Sequence, residues 1–258
     1  MKDYGGKVMR KKIDFNFIDI HTHILFGVDD GAPDARTSEQ MLDTAYSEGI
    51  RKIVATPHYH PGKCLMPYEE IKKQFDIFKE MAHSRYPDME FYLGREIYYT
   101  SEITEQENLL DTLLMNGTKY VLVEYYPAVE FSYIRASVNN IIMMGYIPIV
   151  AHVERYICHI KDWTLIEELR DMGAVIQINA GSVTGQTGTG SAVKKFVKKL
   201  LSNGYVDVIG TDAHSTTRRA PRIKEAAEYI AKKYGIDYAK KVLYDNAEKI
   251  LKGEYLEG

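Results

Sequence analysis

Six places in the chain set a histidine or a carboxylate at the end of an apolar run: Ile18-Asp19-Ile20-His21-Thr22-His23, Ala55-Thr56-Pro57-His58, Gly94-Arg95-Glu96, Val123-Glu124, Ala151-His152 and Gly210-Thr211-Asp212-Ala213-His214. Side chains alternate along an extended chain, so His21 and His23 lie on one side and can reach the same ion. A buried unpaired carboxylate is expensive and is normally paired or metal-bound. One such residue reads as a cap or an ion pair; all of them together read as a metal centre. Imidazole and carboxylate without thiolate suit zinc, manganese or iron. His21, His23, His58, Glu96, Glu124, His152, Asp212 and His214 are more than one tetrahedral ion needs, which implies two or three ions sharing bridging carboxylates. Closely spaced ions clamp a phosphate and lower the pKa of a bridging water, the chemistry of phosphoester hydrolysis.

Residues nearby add to this set. Asp29-Asp30-Gly31 could supply a further ligand or a turn. Arg155 and Arg219 follow ligand positions, and a guanidinium fork matches phosphate oxygens in a bidentate way. His60 could be a ligand neighbour, a proton donor or a loop residue. Gly181 to Gly190, GSVTGQTGTG, lacks the lysine of a P-loop and reads as a mobile loop at the mouth of the site. His83 and His159 read as bystanders, and the 20 tyrosines as packing and surface residues. The cysteines, Cys64 and Cys158, read as reduced thiols. Neither stands in the C-x5-R arrangement of a thiolate phosphatase, since Glu70 and Thr164 occupy the arginine positions.

The elements that must position these residues alternate. Short runs read as strands buried on both faces: Phe17 to His21, Lys52 to Pro57, Glu90 to Glu96, Tyr120 to Tyr125, Pro148 to His152, Ala174 to Asn179 and Val206 to Thr211. Helical spacing covers Thr37 to Glu48, Pro67 to Ala82, Ser101 to Met115, Tyr133 to Met144, Trp163 to Met172 and Ser191 to Asn203. Arg222 to Tyr234 and Tyr238 to Lys252 close the chain. Gly49, Gly145, Gly173 and Gly204 end helices before the next strand. Strands alternating with helices imply a parallel α/β fold. Site residues at the ends of nearly all the strands favour a barrel over an open doubly wound sheet.

The 258 residues are 45% hydrophobic and 27% charged with a net charge of −3, the balance of a globular chain without a polyanion-binding surface. Nucleic acid is therefore not an expected partner. Met1 to Lys12 is polar and basic and lacks the apolar stretch of a secretory signal. No apolar run is long enough to span a bilayer. The expected organisation is an N-terminal extension over 1–15 and one barrel over 16–258, with a cytoplasmic location and no membrane insertion.

In this order the motifs resemble those of the polymerase and histidinol phosphatase (PHP) superfamily, and within it the bacterial CpsB/CapC family of manganese-dependent protein-tyrosine phosphatases. The matching stretches are DIHTHILFGVDDGAPD (19–34), ATPHYHPG (55–62), GREIYYT (94–100), VLVEY (121–125), PIVAHVERY (148–156), INAGSVTG (178–185) and GTDAHSTTRRAP (210–221). The resemblance implies a distorted (β/α)7 TIM-like barrel of the PHP fold, in a single domain, with three divalent ions. These would be Mn2+, with iron or zinc as alternatives. It implies that His21, His23, Glu96 and Asp212 hold the first ion. Glu96, Glu124 and His152 would hold the second, and Asp30, His58 and His214 the third. Asp29 is a possible substitute for Asp30. Arg155 and Arg219 match phosphate-binding arginines. The implied substrate is the tyrosine-phosphorylated tail of a bacterial kinase that controls capsular or exopolysaccharide synthesis. Two positions depart from many relatives: Tyr59 stands where a second histidine follows the strand-two histidine, and Ser215 stands where asparagine follows D-x-H.

Three rivals share features of this pattern. A small-molecule phosphatase acting on histidinol phosphate would use the same ions. An amidohydrolase would bridge its metals with a modified lysine where Glu124 stands. A non-catalytic regulator could keep a metal-stabilised barrel for binding alone.

Overall fold

The computed structural model describes residues 13–63, 65–106, 109–156, 163–185 and 190–256. Residues 1–12, Cys64, Cys158 and His159 lie outside them. The chain forms a parallel sheet curled into a distorted (β/α)7 barrel. Its strands are β1 (Phe17–Thr22), β2 (Ile50–Ala55), β3 (His58–Tyr59), β4 (Glu90–Leu93), β5 (Glu96–Tyr98), β6 (Tyr120–Glu124), β7 (Ile147–Val150), β8 (Val175–Asn179) and β9 (Val208–Gly210). Order around the sheet is β1-β2-β4 and then β3-β5-β6-β7-β8-β9.

The two sheets are one surface with a kink. The expected strands Lys52 to Pro57 and Glu90 to Glu96 are each broken. Pro57 has no N–H to give to a ladder, and it separates β2 from β3. Gly94 and Arg95 separate β4 from β5. Hydrogen bonds continue across the break, from Gly94 N to Ala55 O at 2.9 Å and from Glu96 N to Pro57 O at 3.2 Å. At the other edge the last strand position meets the first. Asp212 N donates to His21 O at 2.7 Å, and His23 N donates to Ala213 O at 2.9 Å. Ladder bonds thus run right around the ring at the level of the candidate ligands.

Strand residues alternate between two apolar clusters, as a period of two requires. Ile53, Val121, Val123, Val150, Ile176 and Ile209 pack in the larger cluster with the helices. Ile18, Ile20, Val54, Leu122, Ile149, Val175 and Val208 form the smaller one with Ala247, Ile250 and Leu251.

Helix α1 (Ala35–Ser47) begins where the Asp34 side chain accepts from Thr37 N at 2.8 Å, a side-chain cap that sets its start two residues before the expected Thr37. Helix α2 (Tyr68–Arg85) buries Ile71, Phe75, Phe78 and Ala82, one stripe of its surface. Its His83 packs edge-on against Phe91, away from the ligand positions. The glycines at 49, 145, 173 and 204 adopt the left-handed conformation, with φ of 93°, 91°, 102° and 70°.

Three expected elements are corrected. The helix over Ser101 to Met115 stops as α3 (Ser101–Glu105), and 3-10 turns follow at Leu110–Thr112 and Met115–Gly117. Asn116, at φ 52°, turns the chain there while Leu110, Leu113 and Met115 are buried. The stretch read as a mobile loop from Gly181 begins instead with a helical turn at Ala180–Thr184, in which Ala180, Gly181, Ser182 and Val183 are buried. Residues 186–189 lie outside the described residues. The closing segment starts at Ile236 and contains a wide turn, Lys241–Asp245, before the final helix Asn246–Lys252. The buried Asn246 side chain donates there to Asp207 O at 2.8 Å. No helix among the described residues is long and apolar enough to cross a membrane.

Candidate metal centre

All nine expected ligands converge at the C-terminal end of the barrel. His21 lies within β1 and His23 just beyond it; His58 opens β3, Glu96 opens β5 and Glu124 ends β6. His152 and Asp212 follow β7 and β9 in left-handed backbone, with φ of 31° and 52°, a conformation uncommon outside glycine. Two glycines make the approach possible. A Cβ at Gly31 would stand 2.1 Å from the His23 carbonyl oxygen, and one at Gly210 would stand 2.6 Å from His21 Cβ.

The side chains form three overlapping sets able to hold an ion, each with its ligand atoms within 4.8 Å of one another. One is His21, His23, Glu96 and Asp212, the same four residues the resemblance implies. The second is His23, Asp30, His58 and His214, which adds His23 to the implied trio. The third is His58, Glu96 and Glu124. Here geometry departs from expectation, because His58 takes the place given to His152. His152 nevertheless adjoins this set, with Nε2 2.8 Å from Glu96 Oε1 and 3.8 Å from Glu124 Oε2.

The two adjacent aspartates separate cleanly. Asp30 is 68% exposed and points into the second set, 3.4 Å from His58 Nε2 and 3.3 Å from His214 Nε2. Asp29 is turned away from it. Its carboxylate accepts from His23 Nδ1 at 2.7 Å, from His58 N at 3.0 Å and from Gly31 N at 3.0 Å.

Hydrogen bonds at the back of the rings fix their tautomers. His21 Nδ1 faces Gln177 Oε1 at 3.2 Å, and His214 Nδ1 faces the Asp212 carbonyl at 3.0 Å. His152 Nδ1 faces the Tyr156 hydroxyl at 3.0 Å, and that hydroxyl donates to Ala151 O. With His23 on Asp29, four rings therefore carry hydrogen on Nδ1 and turn the Nε2 lone pair inward. The Nε2 atoms of His21 and His23 are 3.3 Å apart, and each lies about as close to Glu96 Oε2, at 3.2 and 3.0 Å. Three lone-pair donors facing one another repel unless a cation or proton sits among them. His58 Nδ1, buried without a hydrogen-bond partner, faces Glu96 and Glu124 at 3.2 and 3.3 Å. This mixed imidazole and carboxylate donor set fits divalent transition-metal ions such as zinc, manganese or iron.

The electrostatics agree. Burial pushes the His23 imidazole down, but Asp29 and Glu96 overcome it and raise it to about 9. His58 is likewise desolvated, yet Asp30, Glu124 and Glu96 lift it to about 11. Burial would raise the Asp29 carboxyl; the His23 contact instead holds it at about 2. Glu96, buried among His21, His152 and His23, is held well below the usual carboxylate range. In the metal-free protein, protons on His23 and His58 therefore help to balance the carboxylates.

Arg155 and Arg219 both reach this centre through Asp212. Arg219 Nη2 donates to Asp212 Oδ1 at 2.7 Å, and Arg155 Nη1 lies 3.8 Å from Asp212 Oδ2 and 3.4 Å from His152 Nε2. Together with Asp30, Glu124 and His214 they line a cavity of about 430 Å³. His60 stands in its wall and outside the three ligand sets, with Nδ1 2.8 Å from Pro61 O.

Sequence reading missed the residues behind the ligands. Gln177 Oε1 accepts from both His21 Nδ1 and His152 N, the latter at 2.7 Å. Its amide donates to Asn179 Oδ1 at 3.0 Å, and Asn179 Nδ2 donates to Asp212 Oδ2 at 2.8 Å. Asp19 accepts from Thr211 N at 2.9 Å and from its hydroxyl at 2.5 Å, tying β1 to the segment that carries Asp212. A polar residue inside an otherwise apolar strand, as in Phe-Ile-Asp-Ile and Val-Ile-Gln-Ile, is the signal that could have found them.

The model of the family described as "Capsular polysaccharide synthesis, CpsB/CapC" matches residues 17–252. The chain is 35% identical over 238 residues to the tyrosine-protein phosphatase CpsB of Streptococcus pneumoniae, across 91% of this chain and 98% of that one. It is 33% identical over 242 residues to the CpsB tyrosine-protein phosphatase of Streptococcus agalactiae, across 93% of this chain and all 100% of the relative. A crystal structure from the pair YwqE of Bacillus subtilis and CpsB of S. pneumoniae, called unique metal-dependent tyrosine phosphatases, superposes with a TM-score of 0.83 at 30% identity, covering 93% of this chain and 96% of that one. Match, identity and coverage agree that this chain belongs to the CpsB/CapC family of capsular polysaccharide synthesis.

Proposed function

We propose that the chain is a manganese-dependent protein-tyrosine phosphatase. The observation that carries this reading is the triple ligand cluster with shared His23, His58 and Glu96, set beside two arginines at one end of a single cavity. The relatives' names support the substrate class. In this reading three divalent ions are held by His21, His23, Asp30, His58, Glu96, Glu124, His152, Asp212 and His214. Bound there, such ions would neutralise phosphoryl charge and acidify a coordinated water.

The chain's own groups do the rest. Arg155 and Arg219 orient the phosphoryl oxygens and stabilise the charge that builds on them as the ester bond breaks. Arg219 is paired with Asp212 and Arg155 stands near it, and both side chains stay partly open to solvent, where a phosphate can reach them. Asp29, Gln177 and Tyr156 hold the imidazoles in the tautomer that ligation needs. The leaving phenolate, with a pKa of about 10, needs little proton assistance. His60 Nε2 is the side-chain group we assign to supply it. We also retain the division into an extension over 1–15 and a phosphatase barrel over 16–258. The physiological substrate in this reading is a tyrosine-phosphorylated kinase tail in the cytoplasm, which accords with the family's place in capsule synthesis.

Turnover of a tyrosine-phosphorylated peptide with Mn2+, compared with histidinol phosphate, tests the assignment. The peptide is expected to be strongly preferred, and His21→Ala and Asp212→Ala are each expected to abolish turnover. Preference for histidinol phosphate would overturn the substrate class. Activity surviving in both variants would overturn the site.

A further inference from the structure

The cavity has two kinds of wall. Its inner end is the charged cluster; its outer part is aromatic. There His60 stacks on Tyr98, with ring centroids 4.0 Å apart and planes 20° from parallel. His60 Nδ1 is tied to Pro61 O, so the pair forms a fixed plate. Tyr126, next in line, belongs to the turn that follows Glu124. It is 62% exposed although it lines the cavity. The turn is closed by a hydrogen bond from Val129 N to Tyr126 O at 2.9 Å, and Pro127 restricts its backbone. Tyr125, immediately before, is buried and locked by a 2.6 Å hydrogen bond to Ser137.

A single exposed aromatic residue is ordinary on a protein surface. This one is held on an anchored turn, within the same cavity as a stacked aromatic pair. A phosphoryl group alone uses only the charged end. The aromatic part suits a flat apolar group attached to that phosphate, because aromatic rings gain from offset or edge-on packing beyond what buried area provides.

Resting on the phosphomonoesterase reading above, we propose that Tyr126, with the His60–Tyr98 stack, determines specificity by selecting an aryl over an alkyl phosphate. The substrate ring lies against these side chains while its phosphoryl group reaches the ligand cluster and the arginines. A phosphoserine side chain is too short and too thin to fill the aromatic part, so the same wall disfavours it.

Calorimetric binding of phenylphosphonate and methylphosphonate to the full-length, Mn2+-loaded protein tests this. Neither compound has an ester bond to hydrolyse, so binding is read without turnover. The wild-type chain is expected to bind the phenyl compound about tenfold more tightly. Tyr126→Ala and Tyr98→Leu should each reduce that ratio to threefold or less, and Tyr126→Phe should preserve it. On a phosphotyrosine peptide the Tyr126→Ala loss should appear in KM, with kcat within twofold. Equal affinity for both phosphonates in the wild type, or an unchanged ratio in both truncated variants, would overturn the aryl wall alone. Failure to bind either phosphonate would overturn the phosphomonoesterase reading beneath it.

Discussion

Replacing Asp29 by asparagine separates ligation from the support of a ligand. The carboxylate accepts three N–H groups: His23 Nδ1, His58 N and Gly31 N. Oδ2 takes the first two and Oδ1 the third, so an amide in either orientation sets an NH2 group against at least one of these donors. Loss of a carboxylate behind a ligating imidazole typically weakens metal binding by about 10–100-fold. A second effect opposes the first. Asp29 is the main group that raises His23 to about 9. At pH 7 an incoming ion must then displace a proton held about two pKa units above the solution pH, a penalty of about 100-fold or ~2.7 kcal/mol. The variant lacks most of that penalty, because burial pushes the unsupported ring down. The defect should therefore be at most about tenfold at pH 7 and grow to about 10–100-fold by pH 9. Titration with Mn2+, following the free ion by electron paramagnetic resonance, measures this at both pH values. Stoichiometry should be retained in Asp29→Asn and fall by one ion in Asp30→Asn. A defect of equal size at both pH values would refute the proton-competition argument. An ion lost from Asp29→Asn but kept in Asp30→Asn would reverse the roles of the two aspartates.

Three other outcomes follow from the same geometry. Gly31→Ala would place a methyl group 2.1 Å from the His23 carbonyl, a backbone atom with no freedom to yield; a Tm several degrees lower is expected, and an unchanged Tm would contradict the packing at this turn. Gln177→Leu leaves the buried His152 N–H without its acceptor and releases His21 Nδ1, so kcat/KM should fall about 10–100-fold with the circular dichroism spectrum intact; wild-type kinetics would remove Gln177 from its positioning role. Chelation should abolish activity and lower the Tm, with restoration on adding Mn2+. That gap should widen with pH. The raised His23 stabilises the metal-free protein fully below its ordinary value of 6.5, and this contribution disappears as pH rises through about 9, whereas an ion binds more tightly as the imidazoles lose protons. A gap that narrows between pH 6.5 and 9 in thermal melts would count against the assigned protonation.

What could be read from the chain alone follows from how locally each feature is encoded. The convergence of the eight candidate strand-end ligands was legible because a polar residue that ends an apolar run has nowhere to go but the rim of the barrel. The alternating order of elements was legible for a similar reason, since burial on both faces writes itself as a continuous apolar run. Asp29 and Asp30 were not separable, because a turn imposes no period that distinguishes neighbours; only the fold shows one carboxylate turned back to His23 and the other facing His58 and His214. The same limit explains His58. It stands with Asp30 and His214 as the resemblance implies, and the break at Pro57 starts a separate short strand paired with β5, which also carries its Nδ1 to Glu96 and Glu124. The predicted strands ran through that break because an apolar run does not reveal which ladder partner it has lost. Gln177 lies further beyond a sequence reading. Its acceptor oxygen serves groups 156 and 25 residues away, so its meaning exists only once β1, β7 and β8 are side by side. The candidate ligands are thus encoded by where each strand ends, whereas the tautomer that turns His21 Nε2 inward is encoded by which strands are neighbours. For that reason substitutions behind the ligands should change the pH dependence of ion binding, while substitutions of the ligands should change its stoichiometry.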